Sequence, residues 1–299
     1  MTPRRQHGAV LMMVAIVLAT VAALAVGVNG LTRFESGSVR GDYQDRAASY
    51  LADAGVAAAR WKNQVAGCTS QAIAATALGG GTFKADVPVQ KGTAKKIDIV
   101  ATGAVDGVAL RTLERKQVTL HDLSTTETVR LAKDALDLTI DRTDDDDSDD
   151  GDVRLWLAFD EAHALLYWAM NDIKKDALVL SATLTLTPDG SNGAGAVVAV
   201  QRVTTKWDDD ATWKEPRDDA TRWDGGDYIA QPAATATVAG LSTAQWDVTD
   251  LVIGWFGGLF PNHGMLLRLT NPGPSVRFHS LDASSSQRPV LQVLSARQC

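Results

Sequence analysis

The chain has 299 residues, a formal net charge of −7 and a pI near 5.2, enough length for one large domain or two modest ones with separate cores. Its acidic balance excludes a nucleic-acid surface, which needs clustered Lys and Arg, so no nucleic-acid partner is expected. Only two cysteines, Cys68 and Cys299, and five scattered histidines with no His-x-His or His-x-x-x-His pair exclude a disulfide scaffold and a Cys-based zinc site, and argue against metallo-hydrolase chemistry.

The first element is apolar. From Ala9 to Thr32 no side chain ionises, so the run clears the roughly 20 residues a helix needs to cross a bilayer. Arg4 and Arg5 before it favour a cytoplasmic N-terminus. The run is longer than the core of an ordinary secretory signal, about 7–15 residues. Beyond it Tyr43, Ala47, Tyr50 or Leu51, Ala54, Ala58, Trp61 and Val65 recur every three or four residues, one face of an amphipathic helix. One helix is predicted over 9–65, membrane-spanning over 9–32, with Gly67 as its stop.

From about Gly79 to Leu123 short strand-like runs, "GTFKADVPV", "KKIDIVATGAV" and "VALRTLERKQVTL", alternate with "GGG", "QKG" and "VDG" turns. They predict a small β-rich head over 66–123 that buries the Trp61 and Val65 stripe. The Ser/Thr-rich stretch near Ser124 to Thr128 marks the domain boundary, with a linker over 124–134.

Next comes an acidic run, Asp144 to Asp152. Asp146, Ser148, Asp150 and Gly151 match the first half of an EF-hand loop, but Leu157 stands where the closing Glu belongs, so this is no EF-hand. Asp144, Asp146, Asp150 and Asp152 are the candidate ligands for Ca²⁺. The alternative is a solvated, self-repelling loop.

From Ala135 to Cys299 the pattern is all-β. In "ALVLSATLTLT", Leu178, Leu180, Ala182, Leu184 and Leu186 alternate toward one face. "AVVAVQRVTTKW", "GMLLRLTN", "SVRFHS" and "PVLQVLS" continue it, which predicts a sandwich of jelly-roll type. "WDVTDLVIGWF" interrupts with a short helix that Asp250 can cap and that turns Leu251, Val252 and Trp255 inward. Seven of the eight tryptophans fall here. Trp207, Trp213, Trp246 and Trp255 are assigned to the core. Trp223, in the polar "DDATRWDGGDY" beside Tyr228, is the candidate stacking platform for a sugar. The aspartates at 208–210, 218–219, 224 and 227 are candidates for sugar hydroxyls or a cation.

Two resemblances overlay these readings. "RRQHG" followed by "AVLMMVAIVLATVAALAVG" resembles the class III leader of type IV prepilins, and "DRAASYLADAGVAAAR" resembles the helix of PilX/GspK-class minor pilins (pseudopilins). This implies a leader over 1–8 cut by a prepilin peptidase between Gly8 and Ala9. It also implies minor and major pilins as partners. Major pilins carry Glu at mature position five, where this chain has Met13. A buried carboxylate persists only where a partner repays its cost, so Met13 suits a tip or priming subunit. "LLYWAMNDIKKDALVLSATLTL", "VQRVTTKWDDDATW", "WDVTDLVIGWFGG" and "VRFHSLDASSSQRPVLQV" resemble, in order, DNRLRE domains, relatives of carbohydrate-binding modules. That implies an extracellular sandwich for attachment or glycan binding.

The fold class expected is therefore α+β: a long transmembrane and amphipathic pilin helix with a small β head, then an all-β jelly-roll-like sandwich. The function expected is a minor pilin at the tip of a type IV pilus-like fibre, priming or capping it and presenting an adhesion module to a glycan or other surface. The localisation expected is single-pass in the inner membrane before assembly, then extracellular at a pilus tip or periplasmic in a pseudopilus. The rivals are a type II secretion pseudopilin touching cargo, and a membrane-anchored polysaccharide-binding or degrading protein. No motif sets two carboxylates, a Ser/His/Asp elbow or a phosphate loop at a defined site, so no catalysis is expected. Export would put Cys68 and Cys299 in an oxidising compartment, where they are expected to pair, the alternative being free or intermolecular thiols.

Overall fold

The structure, a computed structural model, describes residues 38–88, 96–105, 109–144, 151–190, 193–217 and 222–299. Its compact units are two: unit 1 extends to Thr125 and takes in Gln298–Cys299, and unit 2 is Thr126–Arg297.

Unit 1 is a helix laid on a sheet. Helix α1 (Ser38–Val65) is followed by β1 (Ile73–Leu78), β2 (Gly81–Asp86), β3 (Lys96–Val105) and β4 (Ala109–Thr119), a four-stranded antiparallel sheet in the order β1-β2-β3-β4. Strand β3 alternates strictly, with Ile97, Ile99, Ala101, Gly103 and Val105 buried and their neighbours not. Against that face α1 packs a stripe of mostly small residues, Ala48, Leu51, Ala52, Gly55 and Ala59. The predicted stripe is thus displaced around the helix. Tyr43, Tyr50, Trp61 and Val65 are exposed, Trp61 by 43%. The physical reason is distance: a Cβ on Gly103 would stand 2.1 Å from the carbonyl oxygen of Ala48 and 2.6 Å from the amide nitrogen of Ala52. An approach that close admits alanine and glycine and refuses aromatic rings.

The helix ends in a Schellman motif. Gly67 (φ +71°) takes the left-handed conformation, its N–H reaches Gln64 O at 3.3 Å, and the Cys68 N–H reaches Asn63 O at 2.8 Å. Asn63 is fully buried and organises the turn that follows. Its amide nitrogen donates to Ala59 O (2.7 Å) and Gln71 O (2.9 Å), and its Oδ1 accepts from the Thr69 hydroxyl (3.2 Å). Cys68, placed by this turn, forms a disulfide with Cys299, Cα to Cα 6.1 Å. Both pack against a core of Ala59, Ile97, Ile99 and Leu120. The Cys299 N–H donates to Leu120 O at 3.0 Å.

Unit 2 is a two-sheet sandwich. Its strands are the second half of β5 (His121–Leu131), then β6 (Leu136–Asp141), β7 (Arg154–Leu157), β8 (Ala162–Tyr167), β9 (Leu178–Leu186), β10 (Val197–Arg202), β11 (Ala234–Thr237), β12 (Ala244–Asp247), β13 (Met265–Leu269), β14 (Val276–His279) and β15 (Val290–Gln298). One sheet runs β11-β10-β13-β8-β6, the other β12-β9-β15-β5, and β14 pairs with β7. Both sheets turn aliphatic side chains into one core: Ala164 and Leu166, Val198 and Val200, Leu267 and Leu269 from the first, and Leu184, Leu186, Leu291 and Val293 from the second. Trp246 on β12 donates its indole N–H across the sandwich to Val198 O on β10, at 3.0 Å.

Three local expectations are adjusted. Alternation in β9 slips at Leu180: Val179, Ala182, Leu184 and Leu186 are buried while Leu178 and Leu180 are half-buried. The pairing with β15 passes from Leu294↔Ser181 to Ser295↔Val179, so Leu180 is the extra residue of a β-bulge. Helix α2 (Thr249–Phe256) buries Leu251, Val252 and Trp255. Its first amide is held by Asp247 rather than Asp250, through Thr249 N–H to Asp247 Oδ1 at 3.0 Å. The stretch 124–134, expected as a linker, lies mostly in β5.

The expected α+β class is corrected. Among the described residues fifteen strands stand against two α-helices, so the fold is predominantly β. No helix among the described residues is long and apolar enough to cross a membrane. Helix α1 has 28 residues but carries Asp42, Asp45, Arg46, Asp53, Arg60 and Lys62 along it, and such charges are costly in hydrocarbon. The single-pass inner-membrane placement, and the localisation built on it, is corrected with it. Gly8, Ala9, Met13 and the span 9–32 lie outside the described residues.

Candidate binding surface of the sandwich unit

Pairing fixes which residues share the outer face of the β6-β8-β13-β10 sheet. Leu138, Leu165, Leu266 and Gln201 form one row across the four strands, with Ile140 and His163 two residues along. On an ordinary surface strand these positions would be polar. Here the described residues between β10 and β11 lie over them and bring Trp207, Ala211, Trp213 and Trp223 into a second core.

Backbone and indole groups hold that cover. Trp207 donates to His263 O (2.7 Å), Trp213 to Asp224 Oδ1 (2.8 Å) and Trp223 to Thr212 O (2.8 Å). The Thr205 hydroxyl donates to Asp227 Oδ2 at 2.7 Å. Gly225 (φ +71°) and Gly226 (φ +98°) bend the chain where a side chain has no room. A Cβ on Gly225 would stand 2.6 Å from the Trp213 ring, and one on Gly226 2.6 Å from Leu266 Cδ1.

Beneath the cover lies His163, 5% exposed. Its Nδ1 pairs with Gly225 O at 2.8 Å, and the acceptor is a carbonyl, so Nδ1 carries the proton. The ring tilts against Trp213 at 5.0 Å and meets the edge of Tyr228 at 6.4 Å. Burial lowers its pKa to about 4, the bond to Gly225 offsetting part of the shift, so the imidazole is neutral near pH 7.

At the rim, Arg268 on β13 donates to the Tyr228 hydroxyl at 2.8 Å, and its guanidinium stands 5.7 Å from that ring's centroid. Asp160 is 3.8 Å from the same guanidinium. A cation, a phenol and a carboxylate therefore share one half-exposed patch, a set suited to hydroxyl-bearing ligands. In the connection from β10 to β11, Asp208, Asp209 and Asp210 each bring an oxygen to within 4.8 Å of the others, and such hard oxygen donors match Ca²⁺ among biological cations.

The candidates named from sequence are distributed unevenly. Trp223 is 7% exposed, with its N–H bonded within the cover, so its ring is packed in the second core and offers little face for stacking. Tyr228 is half-buried against the same core with its hydroxyl at the rim. Asp144 and Asp152 are exposed, while Asp146 and Asp150 lie outside the described residues. The remaining core tryptophans, Trp207, Trp213, Trp246 and Trp255, are all buried.

No known protein-family model matches the chain, and no curated protein matches it significantly. The pilin and DNRLRE resemblances therefore rest on the quoted motifs alone.

Sequence reasoning did not find Arg268, Asp160 or His163. Arg268 and His163 each stand alone in an apolar strand and Asp160 in the turn before β8, and only the folded chain brings Arg268 and His163 beside Tyr228 and Asp160 beside Arg268. The one available signal was His163 itself, a titratable residue inside the otherwise apolar "AHALLY".

Proposed function

We propose that this chain is a minor-pilin-like subunit that primes or caps a type IV pilus-like fibre and presents unit 2 as an adhesion or glycan-binding module. The observation that carries the reading is the build of unit 1. Helix α1 turns its small-residue face to the sheet and leaves Tyr43, Tyr50, Trp61 and Val65 exposed. At 100° per residue those four fall within about 60° of one another along the helix. An aligned aromatic stripe on a helix already seated on its sheet is a surface for a neighbouring subunit to cover. The Arg268–Tyr228–Asp160 patch supports the second half, since its donors and acceptors suit sugar hydroxyls.

Antibody against residues 126–297, gold-labelled on filaments from the producing cell, tests the fibre half. Label confined to filament ends, with filament number falling on gene deletion, is expected. Label along the shafts, or filaments that carry none and persist after deletion, overturns it. A glycan array probed with the full chain and with its Arg268→Ala form tests the module.

A further inference from the structure

We propose that the Cys68–Cys299 disulfide is a mechanical clasp, which transfers force on unit 2 from an edge strand to an interior one. The chain passes from unit 1 into unit 2 at Thr125/Thr126 and returns at Arg297/Gln298. The first crossing is made within β5 and the second within β15. These strands are neighbours, but they are not equivalent. In the order β12-β9-β15-β5, β5 is at the edge and hydrogen-bonds to one strand, whereas β15 lies between two.

Without the disulfide, residues 298–299 are held to unit 1 by non-covalent contacts alone, among them the hydrogen bond from the Cys299 N–H to Leu120 O and packing on the Ile97 and Leu120 core. The covalent path from unit 2 to unit 1 then runs through β5 alone. An edge strand can be stripped from its single neighbour a bond at a time, which is its ordinary weakness. With the disulfide closed, the pull also runs down β15, whose backbone is bonded to β9 along Val290–Ala296 and whose Leu291 and Val293 are fully buried. Strands loaded in parallel cannot be stripped in turn.

The clasp is built for its position. Asn63 accepts the Cys68 and Thr69 amides on its carbonyl, at 2.8 and 3.2 Å, and ties its side chain to Gln71 O at 2.9 Å. Cys68 itself sits at φ +62°, a conformation that a non-glycine residue holds only where its surroundings dictate it. The Gln64 side-chain oxygen, one residue on, accepts the His121 N–H at 3.0 Å, at the start of β5. Both crossing strands are therefore anchored at the same helix end, one by a hydrogen bond and the other by a covalent bond.

Single-molecule force spectroscopy on the full chain tests this, with one handle before α1 and the other inserted after the exposed Ala194, in the connection between β9 and β10, strands that each lie between two others. The oxidised chain is compared with the same folded chain reduced in the chamber by a phosphine, and with the Cys68→Ser, Cys299→Ser form. The oxidised chain is expected to resist to a single high-force event. The reduced chain and the double variant are expected to yield earlier, through a short first step of about 20 Å as Thr126–Leu131 peels away. Equal rupture forces and identical step patterns in oxidised and reduced chains overturn the proposal. The reduced chain is already folded before the bond is cut, so the comparison stands even should the double variant fail to fold.

Discussion

Gly103 of β3 lies against Ala48 of α1 so closely that a Cβ on the glycine would stand 2.1 Å from the alanine's carbonyl oxygen. The helix and sheet of unit 1 meet backbone to backbone at that point. Replacing Gly103 with Ala should therefore force the helix off the sheet and destabilise unit 1 by about 1–3 kcal/mol or more. Trp61 is the single tryptophan of unit 1. The remaining seven can be replaced by Phe to isolate its fluorescence, or amide exchange in α1 can be followed in the unaltered chain. A change under half a kcal/mol would mean that the contact is not tight.

Trp223 behaves as a core residue. Trp223→Ala should cost about 3–5 kcal/mol, the usual range for a buried aromatic, and also strips the Thr212 carbonyl of its donor. Trp61→Ala, at an exposed site, should lie within about 0.5 kcal/mol of the parent. Urea denaturation followed by circular dichroism measures both. Were Trp223→Ala neutral for stability and deficient in ligand binding, the stacking role would be restored.

Asp137 gives unit 2 an unusual dependence on alkali. It is 7% exposed on β6, and burial raises its carboxyl pKa to about 7, with the bond from Leu281 N–H (2.8 Å) opposing only part of the shift. The folded state then binds the proton more tightly than the unfolded chain, whose carboxyl titrates near 3.8. This group's contribution is full below pH 3.8 and is lost as pH rises to about 7. Asp137→Asn should therefore be more stable than the parent at pH 8, by up to a few kcal/mol, with the advantage shrinking toward pH 4. Denaturant midpoints at the two pH values decide it. An advantage equal at both would exclude titration as its source.

His163 runs the other way. Its folded pKa of about 4 lies below the unfolded value of 6.5, so its contribution is present above pH 6.5 and lost as pH falls toward 4. His163→Leu should be less stable than the parent at pH 7.5, because the Gly225 carbonyl loses its donor, a cost of about 1–3 kcal/mol. The deficit should close or reverse at pH 4. Tryptophan fluorescence of the cover, where Trp207, Trp213 and Trp223 lie, reports the transition. A deficit constant with pH would show that the imidazole's pKa is the same in the folded and unfolded chain.

Strand positions in the sandwich were legible because their hydrophobic period is strong: β9, β10 and β13 fall within runs picked out by alternation, and β15 begins in one and continues three residues past it. What alternation could not supply was the bulge at Leu180, which depends on the partner strand and leaves no mark in its own sequence. The face of α1 was misread for a physical reason. Searches for a buried stripe weigh Tyr and Trp heavily and Ala and Gly lightly, but here closeness of approach selected the small residues. Ser124 to Thr128 looked like a linker because Ser and Thr favour turns, yet β-branched threonines also suit a strand. Trp223 stands in a polar sequence, and only the fold of residues 203–217 and 222–233 over the sheet reveals that its ring is inside. The Arg268–Tyr228 bond joins residues 40 apart, a relation that local spacing does not encode.

The position of Cys299 also sets an order of events during synthesis. Unit 1 begins near the front of the chain, but its closing residues follow all of unit 2. A ribosome releases the sequence from the front, so α1 and β1–β4 emerge, and can pack, long before their last partner exists. Through that interval Cys68 waits as a thiol while some 170 residues of sandwich are made and folded behind it. Only a correctly threaded β15 delivers Cys299 to the Leu120 carbonyl. The final covalent bond of the first unit thereby reports that the second has been completed.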